Sequence, residues 1–354
     1  MQFVMRRCIR LFMVLAAIGC SFSAQAAYHF VTVDYPGAVS TQLWGINDSG
    51  QVVGQAFLST GEVSFLYDPK NDTFTPLLVN TGLIGINDSG AMAGGQTNTS
   101  GIEHGVILKN QTLTTFSHPG FANTEARGIG DSGLVTGWAF NLDTSDPNNV
   151  FITSSTAFIY NPAHNSFTDF FPSTNVRSNI AQGINRQNQV VGGTPLFPGP
   201  VGNATYGYRR DTNGAIKLFL VNNSSTRARG ITDSGQITGF VSTPGGLKSF
   251  VGSLSGGPGF IAMVIPDADL LRAPDPAAVD GFAVDTAAQG IDNFARVVGA
   301  WDEGDGNFSH GFIATPIPTN KDQCKGGGWQ GLVRADGTAF KNQGDCIQYV
   351  NTGK

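Results

Sequence analysis

Four groups of residues in this 354-residue chain have types that chemistry uses. Asp302-Glu303-Gly304-Asp305-Gly306-Asn307 has the acid and glycine density of a calcium loop, but its spacing fits no EF-hand ligand pattern, and a solvated hairpin loop is expected. Gly252-Ser253-Leu254-Ser255-Gly256 loosely resembles the glycine-flanked serine of a hydrolase elbow. Leu254 stands at its centre, and that elbow works only at a strand-to-helix turn of an α/β sheet. The histidines His29, His104, His118, His164 and His310 are scattered, and His104 and His310 each precede a glycine in matching contexts, as a repeated structural part would. Cys324 and Cys346 are expected to form one disulfide, worth about 3 kcal/mol in the chain-entropy model. With no histidine nearby, zinc is not expected there.

The elements that must position such residues are repeats. GINDSGQVVG from Gly45 recurs as GINDSGAMAG, GIGDSGLVTG, GINRQNQVVG, GITDSGQITG and GIDNFARVVG from Gly85, Gly128, Gly183, Gly230 and Gly290. The spacing of 40 to 60 residues is in the range of propeller blades. Each copy reads as a β-hairpin: an apolar run, an Asn/Asp-led turn closed by a residue that adopts the left-handed conformation, and a second apolar run. Asn188 tolerates that conformation in the fourth copy, whereas Ala295 in the sixth predicts a distorted or differently closed turn. The second glycine of each copy, such as Gly54 or Gly137, lies inside a strand and suggests tight packing between neighbouring sheets. Two further runs follow most hairpins, such as Ser64–Tyr67 and Phe74–Leu78, so each unit is four short strands, a to d.

The sixth unit has no fourth run after Phe312-Ile313-Ala314, yet Tyr28–Asp34 stands alone as a strand before the first hairpin. The two irregularities match: the N-terminal strand completes the last blade and closes the ring. The expected fold is therefore all-β, a six-bladed β-propeller of four-stranded blades over residues 27–316, with a disulfide-closed tail at 317–354. An open β-solenoid is the alternative, and it offers no reason for the lone strand. GINDSGQVVGQAF and SFLYDP resemble the HAF repeats of bacterial extracellular proteins, a likeness that covers about residues 28 to 316 and implies no general activity. NKDQCKGGGW and FKNQGDCIQYV also resemble a cysteine-paired terminal segment of secreted bacterial proteins.

Residues 1–26 have the charged, apolar and small-residue order of a secretory signal, with Arg6, Arg7 and Arg10, the run from Leu11 to Gly19, and Ala24-Gln25-Ala26 before the expected cleavage. The apolar run is too short for a spanning helix, and no later stretch supplies one, so the mature chain is expected to have no transmembrane segment. Ala17-Ile18-Gly19-Cys20 resembles a lipobox, which leaves lipid attachment at Cys20 as an alternative to free extracellular or periplasmic export. The net charge of -5 becomes -8 without the leader's three arginines and argues against nucleic acid as a partner.

In such blades the a–b and c–d turns share one face, and the b–c and d–a connections the other. The long insertions, Asn141–Ser155, Gly193–Thr205 and Pro266–Thr286, all fall on the b–c/d–a face, which is therefore the expected functional face. Just before each repeat glycine stand Trp44, Ile84, Arg127, Gln182, Arg229 and Gln289. If strand a is innermost, Arg127, Gln182, Arg229 and Gln289 ring the channel mouth as candidate binding residues, with ordinary surface ion pairing the competing explanation for the arginines. The expectation is a monomeric, non-catalytic binding or cell-surface module that needs no cofactor, for an extracellular ligand such as a carbohydrate or cell-surface polymer. The alternatives are a propeller enzyme acting on carbohydrate or peptide and a structural envelope role. A cluster of titratable side chains at the channel mouth would favour the enzyme.

Overall fold

In the computed structural model, residues 27–146, 150–171, 178–199, 202–254, 261–264, 285–302 and 310–354 are described. Residues 1–26, expected to be a secretory signal, most of Pro266–Thr286 and Glu303–Asn307 of the acidic loop lie outside them. Six four-stranded antiparallel sheets form a six-bladed β-propeller. Blade 1 comprises Ser40–Ile46, Val52–Leu58, Gly61–Asp68 and Thr73–Val79 (β2–β5), and blade 2 Gly82–Ile86, Met92–Thr97, Glu103–Lys109 and Thr112–Phe116 (β6–β9). Blade 3 comprises Asn123–Ile129, Val135–Asp143, Phe151–Asn161 and Ser166–Phe170 (β10–β13), and blade 4 Ile180–Ile184, Val190–Gly199, Gly202–Arg210 and Ile216–Phe219 (β14–β17). Blade 5 comprises Thr226–Ile231, Gln236–Thr243, Gly246–Ser253 and Ile261–Val264 (β18–β21). Blade 6 has only Thr286–Ile291, Val297–Trp301 and His310–Ile317 (β22–β24) of its own, and Ala27–Val33 (β1) pairs with β24 as its outer strand.

The repeated decapeptide is a hairpin, as its turn residues require. Gly50 takes φ 89° and donates its N–H to Asn47 O, while the Asn47 side chain accepts from Gln51 N. The distortion expected in the sixth copy does not occur. Ala295 adopts φ 61°, and its turn keeps the same two backbone hydrogen bonds as the first. The buried Asp292 carboxylate holds it by accepting from Phe294 N and Arg296 N and pairing with the Arg296 guanidinium. Those bonds offset the left-handed cost of about 1–2 kcal/mol.

The two glycines of the motif have different duties, and the expected duty of the second needs correction. A Cβ on Gly54, Gly137, Gly192 or Gly299 would strike the carbonyl of strand a in its own blade and the strand-c aromatic opposite, Phe65, Phe158, Tyr208 or Phe312. That glycine thus admits a fully buried aromatic within one blade. Contact between blades belongs to the first glycine: a Cβ on Gly45 would lie 2.7 Å from Ile84 O, and one on Gly128 2.2 Å from Gln182 O. Apolar clusters fill the space farther from the axis, such as Leu43, Val52, Ala56 and Phe65 against Val298 and Ile313 at the seam of blades 1 and 6.

The insertions expected as loops in blades 3 and 4 are largely strand. β11 and β12 stay paired out to Asp143↔Phe151, and β15 and β16 out to Gly199↔Gly202, so each insertion prolongs strands b and c into a two-stranded arm. The tail is also more than a closed loop. Cys324 and Cys346 form the disulfide and are buried with Leu332 and Phe340 between two 3-10 turns and a C-terminal helix, Gln343–Thr352 (α1). It seats beside blade 6, where Val333 N donates to Pro316 O and Gly331 abuts the Phe294 side chain.

Candidate functional site

Strand a of every blade lines the axis, and the repeat places its side chains in tiers. A bulge interrupts the a–b pairing immediately before the first glycine, with register shifts at Leu43/Gly45, Leu83/Gly85, Ala126/Gly128, Ala228/Gly230 and Ala288/Gly290. A bulge leaves one residue unpaired and re-aims it. Trp44, Ile84, Arg127, Arg229 and Gln289 are those residues, and they line one cavity of about 80 Å³ on the axis. Gln182 holds the equivalent position and is buried, but it does not line that cavity.

Below this tier, Ile46, Ile86, Ile129, Ile184, Ile231 and Ile291 form an apolar waist bordering both axial cavities. Beyond the waist, on the a–b face, the turns carry a polar ring that the sequence reading did not anticipate. Asp48 N donates to Asp88, Asp88 N to Asp131, Arg186 N to Asp233, Asp233 N to Asn293 and Asn293 N to Asp48, at 2.7–3.0 Å. The aspartate of the turn is therefore a blade-to-blade tie as well as a turn former. The fourth copy has Arg186 instead, and its guanidinium reaches across the opening to Asp131 at 3.0 Å, Asp88 at 3.3 Å and Asp233 at 3.7 Å. Arg186 and the isoleucine waist thereby narrow the axis from the a–b side. The sequence signal was the one basic residue among five acids and amides at that position.

On the opposite face the axis opens into a cleft of about 440 Å³ over blade 2, lined by Trp44, Gln55, Glu62, Asn80, Glu103, Glu125 and Arg127 among others. Its floor exists because Gly82 and Gly95 pair across β6 and β7 with no side chains between blades 1 and 3. A Cβ on Gly95 would fall 2.2 Å from Glu103 Oε1 and 3.3 Å from Glu125 Cγ, so the glycine draws these two carboxyl side chains to one place. The corresponding pairs elsewhere include Glu125↔Trp138 and Arg227↔Phe240, which fill the space.

The three glutamates differ in environment. Glu125 accepts from Arg127 Nη2 at 2.8 Å and from Trp138 Nε1. Glu62 accepts from Gln55 Nε2. Burial, and then the nearby Glu125 charge, push the Glu103 carboxyl up to about 8 against the pull of Arg127. The folded chain therefore holds a proton there that the unfolded chain releases near 4.5. The associated stability is present below that lower value and lost as pH rises toward 8. Allowing for the water that enters the cleft, Glu103→Gln is expected to stabilise the fold by about 1–2 kcal/mol at pH 8.5 and by almost nothing at pH 4.5. Thermal melts of both chains across that range check it.

The candidate arginines are not free surface charges. Arg127 pairs with Glu125, whereas Arg229 lies over the Phe240 ring, 5.2 Å from its centroid. Burial and the neighbouring cations Arg127 and Arg227 press the Arg229 pKa downward, yet a guanidinium remains charged in such a site. Trp44 Nε1, Arg127 Nε, Arg229 Nε and Gln289 Oε1 are buried polar atoms without hydrogen-bond partners in this tier. Among the described residues no group of His, Cys, Asp and Glu side chains is placed to hold a metal ion. His104 and His310 each direct Nδ1 to a residue just after strand d, Ser117 at 2.8 Å and Asp34 at 2.9 Å, which is a structural use.

These features define a β-propeller with a closed seam and a polar cleft on its elaborated face. No protein-family model matches the chain, and no curated protein does. Among solved structures it is similar to a luciferin-regenerating enzyme, with TM-score 0.49, 9% identity, and coverage of 81% of this chain and 95% of that one. It is also similar to a putative gluconolactonase, with TM-score 0.47, 10% identity, and coverage of 83% and 93%. A third is TolB from Acinetobacter baumannii, with TM-score 0.47 and 10% identity over 65% of this chain, which spans 61% of TolB. Likeness of this extent carries no functional argument. Among the described residues no helix is long and apolar enough to cross a membrane.

Proposed function

We propose that this protein is an exported ligand-binding propeller of the HAF-repeat kind, and that its ligand enters the cleft over blade 2 from the b–c/d–a face. The observation that carries this reading is the cleft itself, a hollow opened by paired glycines and lined by convergent polar groups beside the aromatic Trp44. Export, to the periplasm or the medium, is supported by the leader-like first 26 residues and by a disulfide that requires an oxidising compartment. Gly95→Leu tests the cleft, because it fills the hollow by displacing side chains that line it, Glu103 and Glu125, and no backbone atom lies among the nearest neighbours of the added Cβ. Screened on immobilised glycans and peptides, the wild-type chain is expected to retain ligands that the variant loses by tenfold or more. Equal retention by the two chains places the ligand elsewhere and overturns the proposal.

One observation favours a second reading, hydrolysis or elimination on an extracellular polymer. Glu103, its carboxyl pushed up by burial, beside the arginine-paired Glu125 is the pairing of unlike carboxyl groups that acid–base catalysis uses. Turnover of oligosaccharide or peptide libraries that disappears in Glu103→Gln would establish it, and binding without turnover would retire it.

A further inference from the structure

The surroundings of the cleft carry a more specific inference about what it binds. Apart from Val31 and Leu218, every large hydrophobic side chain that is exposed among the described residues lies on the b–c/d–a face, and all belong to blades 1 to 3 or the connection into blade 1. Soluble proteins rarely gather exposed apolar side chains on one side without a partner for them. Three of them adjoin residues of the cleft wall, in strand register or in sequence. Phe57 pairs in register with Glu62, Val79 precedes Asn80, and Ile102 precedes Glu103, so three polar residues of the cleft wall have an exposed apolar neighbour on this face. Val39 and Phe171 are exposed on the same face, at 75% and 54%.

Charge narrows the choice of partner. Glu62, Glu103 and Glu125 face one cation, Arg127, and that cation is already spent on Glu125. Glu62 is met by a neutral amide and Glu103 keeps its proton in the empty cleft, so two acidic groups face the hollow without a cationic partner of their own, and an arriving cation would let Glu103 ionise. A neutral sugar would leave that imbalance buried, whereas an incoming ammonium or guanidinium would offset it. Trp44 and Ile84 supply an aromatic and aliphatic wall suited to an alkyl stem below such a head group.

Resting on the cleft as the ligand seat, we infer that the b–c/d–a face over blades 1 to 3 is a docking surface for a polypeptide segment that inserts one lysine or arginine side chain into the cleft between apolar residues covering the rim. The cation sits among Glu62, Glu103 and Glu125, and the flanking side chains cover Phe57, Val79 and Ile102. This divides the work as protein interfaces do, with a desolvated anchor at the centre and apolar contact excluding water around it.

Fluorescently labelled heptapeptides test it on the mature chain, with Lys, Arg or norleucine at the centre and either Leu or Ser on both sides. The Leu-flanked Lys and Arg peptides are expected to bind at least tenfold tighter than the norleucine peptide and than the Ser-flanked Lys peptide. Glu103→Gln, which preserves shape, should cost the cationic peptides about tenfold and leave the norleucine peptide unchanged. Val79→Ser should weaken all Leu-flanked peptides alike. Norleucine binding as well as lysine would overturn the anchor, and Ser flanks binding as well as Leu would overturn the rim. If no peptide binds but glycan retention still vanishes in Gly95→Leu, the polypeptide partner is wrong and the cleft reading stands. If nothing responds to Gly95→Leu, both fall.

Discussion

Deleting Ala27–Val33 is expected to abolish the stable fold, although the deletion touches no residue of the cleft. β1 is the fourth strand of blade 6, paired with β24 from Ala27↔Ile317 to Val33↔Gly311. Its loss exposes the edge of β24, removes the buried Tyr28 and Val33 side chains, and strips Phe30 from the ring of Phe312, 6.1 Å away. Burying two such side chains alone is worth about 1.5–3 kcal/mol each, before any ladder hydrogen bond is counted. The total approaches the whole stability of a typical domain, about 5–15 kcal/mol. An unpaired strand edge also templates aggregation. The chain lacking β1 should elute in the void volume or remain insoluble, and adding a peptide of residues 27–34 during refolding should recover a monomer. A truncated chain that melts cooperatively within a few degrees of the full one would show that the seam contributes little.

Arg296→Ala is the point substitution expected to cost most, about 3–5 kcal/mol, because it leaves a buried carboxylate without its partner. The Asp292 side chain is fully buried, and burial already pushes it up to about 6 despite the pull of Arg296. Arg296 also donates Nη2 to Asp48 O at 2.8 Å, tying blade 6 to blade 1 where the ring closes. Without it the buried carboxyl holds its proton to higher pH. Since a raised folded-state pKa means stability lost as pH rises, the deficit should be larger at pH 8 than at pH 5. Urea denaturation at the two pH values measures both effects. Asp292→Asn combined with Arg296→Met should recover most of the loss, because the amide oxygen still accepts from Phe294 N and no charge remains to be solvated. A single variant as stable as the wild type would show that water reaches Asp292.

The seam and the site were legible to different degrees. The lone strand at Tyr28–Asp34 and the missing fourth run of the last unit pointed to each other in the sequence, because an unpaired edge has only one remedy in a ring. Arg127, Arg229 and Gln289 were identifiable as channel residues by their place in the repeat, and the bulge before each glycine is the device that turns them inward. The cleft was not visible in this way. Glu62 and Glu103 take equivalent positions at the start of strand c in blades 1 and 2, but Glu125 comes from the middle of strand a in blade 3, and no motif links the three. The usable signal was the Gly94-Gly95 doublet, one glycine more than the repeat requires.

Sequence by itself determined the strand count, the hairpin turns, the closure of the ring and the disulfide, since each depends on residue type within a few positions or on the arithmetic of repeats. The cleft, the Arg186 crossing of the opposite mouth, and the left-handed Ala295 turn were decided only in three dimensions. Each is a meeting of side chains from different blades or a strained backbone held by a buried ion pair, and free energy of that kind exists only once the ring has brought the blades together.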